Sequence, residues 1–176
     1  MNRLVRSDTP GESSLFDRAF VSAHDVADHM ATTTYLTGLD FCESWHLDSH
    51  GRFQCGTRNS ALDSLDQWAD DPDRLIEAVV DASKYGGCTT RWVVIDERAG
   101  GRRPTPDESD VEQFVRLRVH MAEVGVDVLD CVTFDGEDRW WSMCELLTGS
   151  PTWQPTDLPL GRPQDSEEFR RRRTSA

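Results

Sequence analysis

The sequence predicts an α/β fold: a mixed, mostly antiparallel sheet flanked by helices. Three observations carry this. Arg91-Trp92-Val93-Val94-Ile95 is a short apolar run, as for a buried strand. It leads through a Gly/Arg/Pro loop over 96–106 into a helix that Asp107 starts and Gly125 ends, and Val128-Leu129-Asp130-Cys131-Val132 then resumes an extended pattern. Two turn signals, Asp48-Ser49-His50-Gly51 and Asp135-Gly136-Glu137-Asp138, add a hairpin on either side of this stretch. A strand that feeds a loop onto a helix start is a frequent ligand position in α/β proteins.

Taken in order, residues 1–12 read as a loose arm, 13–148 as one domain and 149–176 as a tail. Leu15, Phe16, Ala19, Phe20, Ala23, Val26, Ala27 and Met30 recur at helical spacing, and Ser22 with Asp25 fits a capping box. His24 and His29 lie five apart, do not share a helical face, and read as ordinary surface or packing residues. The second half of 32–47 is a strand, and 52–57 is its return. A four-residue turn would set Ser44 opposite Cys55 and put Cys42, His46 and Cys55 on one face. Two thiols and an imidazole are zinc-type ligands, but no fourth is evident, and a half-buried sheet face is the favoured reading. Leu62, Leu65 and Trp68 mark the inside of a short helix over 59–70. Asp71-Pro72-Asp73 starts another, with Leu75, Ile76, Val79, Val80 and Ala82 inside and Gly86-Gly87 closing it. In the helix after the central loop, Val111, Phe114, Val115, Leu117, Met121 and Ala122 form an apolar stripe crossed by Arg118. Trp140-Trp141-Ser142-Met143 reads as the last strand. Beyond it, Pro151, Pro155, Pro159 and Pro163 recur every four residues and the chain closes on Arg170 to Arg173, the pattern of a disordered tail that Trp153 pins at its start.

The totals exclude some classes. With 19 basic and 32 acidic residues the net charge is −13, which repels nucleic acid phosphates and argues against direct DNA binding. No apolar run has membrane-spanning length and no signal peptide is visible, so a cytoplasmic location is expected. Cys42, Cys55, Cys88, Cys131 and Cys144 are widely spaced and odd in number, so they read as reduced, buried thiols.

Several local strings, in this order, resemble the RadC-like branch of the JAB/MPN metalloprotease superfamily. They are Leu47-Asp48 at the first turn, Gly56-Thr57 after the return strand, Arg74 early in its helix, and Pro104-Thr105-Pro106 leading to Asp110. Leu129-Asp130-Cys131 stands where the family has Leu-Asp-His, and Trp141-Ser142 where it has an aromatic-Ser pair. The resemblance spans about residues 31 to 148. It implies the layering shared by JAB/MPN domains and cytidine deaminases, and a zinc ion held by two His and one Asp, with an upstream Glu working on the metal-bound water.

The departure falls on the chemistry. Counting back from Asp110, the first motif His becomes Glu97, the second becomes Ala99, and the motif Ser becomes Gly101; the upstream acid falls at Asp40. The remnant metal set that the resemblance implies is therefore Asp40, Glu97 and Asp110. Three carboxylates suit Mg²⁺ or Mn²⁺ and not Zn²⁺. Loss of the metal is favoured over its replacement, which leaves a silent domain that binds a protein partner. The alternatives are a divalent-metal hydrolase acting on peptide or isopeptide bonds, and an acidic DNA mimic or accessory protein of DNA repair or anti-defence.

Overall fold

The computed structural model describes residues 2–3, 15, 18–32, 40–58, 64–71, 74, 91–99, 103, 105–123, 125–135 and 138–153. Apart from Arg74, the helix expected between Asp73 and Gly86 lies outside them, as do Cys88, most of the N-terminal arm and the tail beyond 153.

Among the described residues six strands form one sheet: β1 (Asn2–Arg3), β2 (Phe41–Leu47), β3 (Phe53–Arg58), β4 (Arg91–Arg98), β5 (Asp127–Asp135) and β6 (Arg139–Ser142). Their order is β1-β6-β5-β4-β2-β3, and every pairing is antiparallel except that of β4 with β5. The described helices are α1 (Ala23–Thr32), α2 (Leu65–Asp70), α3 (Glu108–Glu123) and α4 (Met143–Thr148). The expected α/β class and mixed, mostly antiparallel sheet are both observed. Among the described residues no helix is long and apolar enough to cross a membrane.

Side chains alternate across a strand, so β2, β4 and β5 each feed two cores. One lies under α1, where Phe20, Val26 and Met30 meet Trp45, Val93, Ile95, Val132 and Phe134. The other lies under α2, α3 and α4, where Leu65, Trp68, Phe114, Leu117, Met121 and Met143 meet Trp92, Val94 and Cys131. Trp45, Trp68 and Trp92 are each under 2% exposed. Each contributes roughly 4–6 kcal/mol of transfer free energy, before the entropic cost of ordering it.

The capping chemistry matches the sequence. Ser22 Oγ accepts the Asp25 backbone N–H at 3.3 Å and Asp25 returns a carboxylate oxygen to Val21 N–H at 3.0 Å. Asp48 Oδ1 accepts from the backbone of His50 (2.8 Å) and Arg52 (2.9 Å), which fixes the β2–β3 turn. Gly51 has a φ of +76°, and a Cβ there would lie 2.5 Å from the carbonyl oxygen of Phe20, so this turn position admits only glycine.

Three expectations are corrected. First, β4 does not stop at Ile95 but runs through Asp96, Glu97 and Arg98, all buried; charged residues read as loop unless their partners are known. Second, Ser44 faces Thr57 and Cys55 faces His46: Leu47 pairs with Phe53, so the loop is five residues long and not four, and Gln54 is a further extra residue before Cys55. Third, Met143 is not strand. Ser142 caps α4 there, its Oγ accepting from Glu145 N–H at 2.9 Å, and Gly149 ends the helix at a φ of 75°. At the N-terminus, Asn2 and Arg3 pair with Trp140 and Arg139 at the sheet edge.

Candidate functional site

The parallel pair β4 and β5 ends beside the start of α3, the place where α/β folds gather ligand-binding groups. Asp107 Oδ1 accepts the backbone N–H of Ser109 (2.9 Å) and Asp110 (3.3 Å), and Asp110 Oδ2 accepts that of Asp107 (2.7 Å). This reciprocal cap explains why α3 begins here. It also turns the other oxygen of Asp110 inward, onto β4.

Arg98 meets that oxygen. Its Nη2 donates to Asp110 Oδ1 at 2.8 Å and its Nε to Asp96 Oδ2 at 2.7 Å. The Arg98, Asp96 and Asp110 side chains are 4%, 0% and 7% exposed. Arg103 closes the outside, pairing with Asp107 and reaching Asp110 Oδ2 at 3.4 Å, while its carbonyl accepts from Arg98 Nη1 at 3.4 Å. Burial alone would pull the Arg98 guanidinium down, but Asp96 and Asp110 outweigh it and hold Arg98 above its usual value. Next along the same face, Asp135 is 2% exposed and accepts from Arg139 N–H at 2.8 Å and from the Arg139 guanidinium. The ends of the two parallel strands thus carry matched internal charges.

Asp40, Glu97 and Asp110, the three carboxylates expected to form a remnant metal set, are not brought together. Glu97 pairs with Phe41 on β2 and Phe134 on β5, both in the α1 core, so its side chain is on the α1 side. Asp110 bonds Arg98, one residue further along β4, on the α3 side. The two-residue period of a strand therefore separates them by the thickness of the sheet. Asp40 stands just before β2 and is half-buried. Among the described residues no three His, Cys, Asp or Glu side chains form a group that could hold a metal ion. Asp110 has both oxygens engaged. The residues present do not fit a zinc, magnesium or manganese ion at this position.

The second metal set fails for another reason. His46 and Cys55 are direct cross-strand partners and Cys42 shares their face. But Cys42 and His46 are four residues apart along β2, about 13 Å, too far for one ion. His46 instead stacks on Trp92, with ring centroids 4.5 Å apart, and its Nε2 lies 3.0 Å from Ser44 Oγ. Ser44 and His46 are 1% and 0% exposed, so this pair is sealed from any substrate. His29 packs edge-on against Phe20 and Trp45, and His24 against Trp140, so both are packing residues. Cys131 is fully enclosed, and burial pushes its thiol well above the usual value.

Burial lowers the His46 pKa to about 4, against 6.5 for the free side chain. The folded imidazole is neutral, and the unfolded chain takes up the proton first as pH falls. Stability from this group is complete above pH 6.5 and lost between 6.5 and 4, by up to roughly 3 kcal/mol. The stability difference between wild type and His46→Phe should therefore shift across this window in urea titrations, the wild type losing ground as pH falls. A difference that stays constant from pH 7 to pH 4 would show that His46 is not buried neutral.

Sequence reasoning missed Asp96 and Arg98. A signal was present: Trp92, Val94, Asp96 and Arg98 continue one face at spacing two, with opposite charges at the end. No family model matches this chain, and no curated protein matches it.

Proposed function

We propose that this chain is a catalytically silent, RadC-like JAB/MPN domain that works by binding another protein. The observation that carries the reading is Arg98, whose guanidinium sits between Asp96 and Asp110 at the strand end and helix start where the resemblance expects a metal ion. An internal cation satisfies the carboxylate that the family spends on zinc, and it supplies neither a Lewis acid nor an activated water. Around it lies an α/β frame with a mixed sheet, which is compatible with this reading. Exposed apolar side chains on the neighbouring helices α3 and α4 support a binding role: Val115, Val119, Leu146 and Leu147 are 40–56% exposed. Among the described residues the hydrolase alternative finds no three-ligand group, since Glu97 and Asp110 lie on opposite faces.

The test is elemental analysis of protein purified without chelator, together with assays on peptide and isopeptide substrates. No stoichiometric metal and no hydrolysis above background are expected. A stoichiometric divalent ion that disappears in Asp110→Asn, along with measurable cleavage, overturns the proposal. On the binding side, a stoichiometric partner recovered with the wild type should be lost with Val119→Glu, a surface change that leaves the core intact.

A further inference from the structure

On α3, Glu108, Glu112, Val115 and Val119 follow one another at i, i+4, i+7 and i+11, which puts all four on one side of the helix. All four are exposed, Val115 by 40% and Val119 by 56%. The stripe is therefore acidic toward the start of α3 and apolar toward its end. The neighbouring α4 packs against α3 and carries two more exposed apolar side chains, Leu146 and Leu147.

The nearby cations are engaged elsewhere. Arg103 pairs with Asp107 and Asp110. Arg116, on one flank, donates to Ala69 O at 3.2 Å and to Asp70 at 3.4 Å. Arg118, on the other flank, is half-buried with its guanidinium 5.7 Å from the centre of the Phe114 ring. Among the described residues neither Glu108 nor Glu112 has an ion-pair partner. An occupant of this stripe must supply an apolar group at one end and positive charge at the other.

The chain itself contains that combination. Phe169 is followed directly by four arginines at 170–173. The centre of the Val115–Val119 pair lies about 10 Å from that of the Glu108–Glu112 pair along the helix axis, at 1.5 Å per residue. An extended segment covers roughly the same 10 Å in three residues. With Phe169 over the two valines and the segment running opposite to α3, Arg172 falls level with the two glutamates. The 16 residues from Trp153 to Phe169 reach up to about 53 Å, and a globule of about 150 residues is roughly 40 Å across.

We propose that Phe169 and the four arginines at 170–173 dock on this stripe of their own chain, the phenyl ring on Val115 and Val119 and the guanidinium groups on Glu112 and Glu108. A partner then has to displace them. The inference rests on the reading of this face as the binding surface and adds what covers it while no partner is present. The tether holds the segment at about millimolar effective concentration, so a weak contact suffices.

The test is the methyl NMR spectrum of the full chain, as wild type, as Phe169→Ser, and as the fourfold Arg→Gln variant at 170–173. The Val115 and Val119 methyl signals should differ between wild type and both variants, and the difference should not depend on protein concentration. Salt at about 0.5 M should move the wild-type signals toward those of the fourfold variant. The peptide acetyl-Ser-Glu-Glu-Phe-Arg-Arg-Arg-Arg-Thr-amide should bind Phe169→Ser saturably, and wild type at least tenfold more weakly because its own segment competes. Glu108→Gln with Glu112→Gln should weaken the peptide in the Phe169→Ser background by a similar factor. Identical methyl signals in all three proteins, signals that ignore salt, or equal peptide binding to wild type and Phe169→Ser would overturn the proposal. So would a difference that grows with concentration, which assigns the segment to a second copy. The salt and concentration series use the wild type, so they stand even where a variant fails to fold. Metal-dependent cleavage would remove the silent role and leave this contact. A partner lost with Val119→Glu, beside unchanged methyl signals, would keep the binding face and remove its cover.

Discussion

Arg98→Met is expected to destabilise the fold by about 3–5 kcal/mol. The substitution leaves Asp96 without its charge partner inside the α3 face and takes the inward partner of Asp110 as well. Protonating Asp96 or pulling the end of β4 toward water are the only ways to relieve it, and both cost free energy. Arg98→Lys should recover only part, because one ammonium cannot reproduce the two directed bonds made by Nε and Nη2. The triple variant Asp96→Asn, Arg98→Met, Asp110→Asn should regain most of the loss, since no unpaired charge is then buried. Urea midpoints of the three proteins decide it. If Arg98→Met unfolds within about 1 kcal/mol of wild type, the cluster is not the closed, water-free network described above.

Asp130→Ala should come next, at about 3 kcal/mol or more. Asp130 is fully buried and accepts from Ser142 Oγ at 2.6 Å, Cys144 N–H at 2.8 Å and Trp153 Nε1 at 3.1 Å. It therefore links β5 to the start of α4 and to the 150–153 segment. Ser142 already caps α4, and Asp130 takes the next free N–H of that first turn. Alanine would leave those donors without acceptors, and the 150–153 segment should lose hydrogen-exchange protection before the rest of the sheet. Protection at Trp153 N–H unchanged in Asp130→Ala would mean that the indole bond does not hold the segment. The pH sign is opposite to that of His46. Burial raises Asp130 to about 6 against 3.8, more than hydrogen bonds from Ser142, Cys144, Trp153 and the Cys131 backbone lower it. The folded state thus holds its proton to higher pH than the unfolded state, and this contribution to stability falls as pH rises from about 4 to about 6. Asp130→Asn should remove that trend while keeping the size of the side chain.

Much of the frame could be read directly. The Ser22–Asp25 cap, the Asp48 turn, the Asp107 start and Gly125 end of the long helix, and the hairpin at 135–138 all follow from short-range hydrogen bonding and backbone preference, which neighbours in the chain determine between themselves. The strand character of β2 and of the apolar part of β4, residues 91–95, was readable from their β-branched and aromatic runs. The hairpin register was missed by two residues, yet the face assignment of His46 and Cys55 survived, because a shift of two preserves the side of the sheet.

The candidate site was a different matter. Counting along the chain from Asp110 to Glu97 assigns both to one motif, but spacing in sequence says nothing about which side of a buried strand a carboxylate takes until the strand has neighbours. Phe41 and Phe134 put Glu97 under α1; the cap on α3 turns Asp110 the other way, onto Arg98. Local pattern was enough for the elements and their ends, since those energies are summed over adjacent residues. Whether a buried charge meets a metal ion, a counter-charge or nothing depends on groups tens of residues away in the chain, and only the packed sheet brought Asp110 to Asp96 and Arg98.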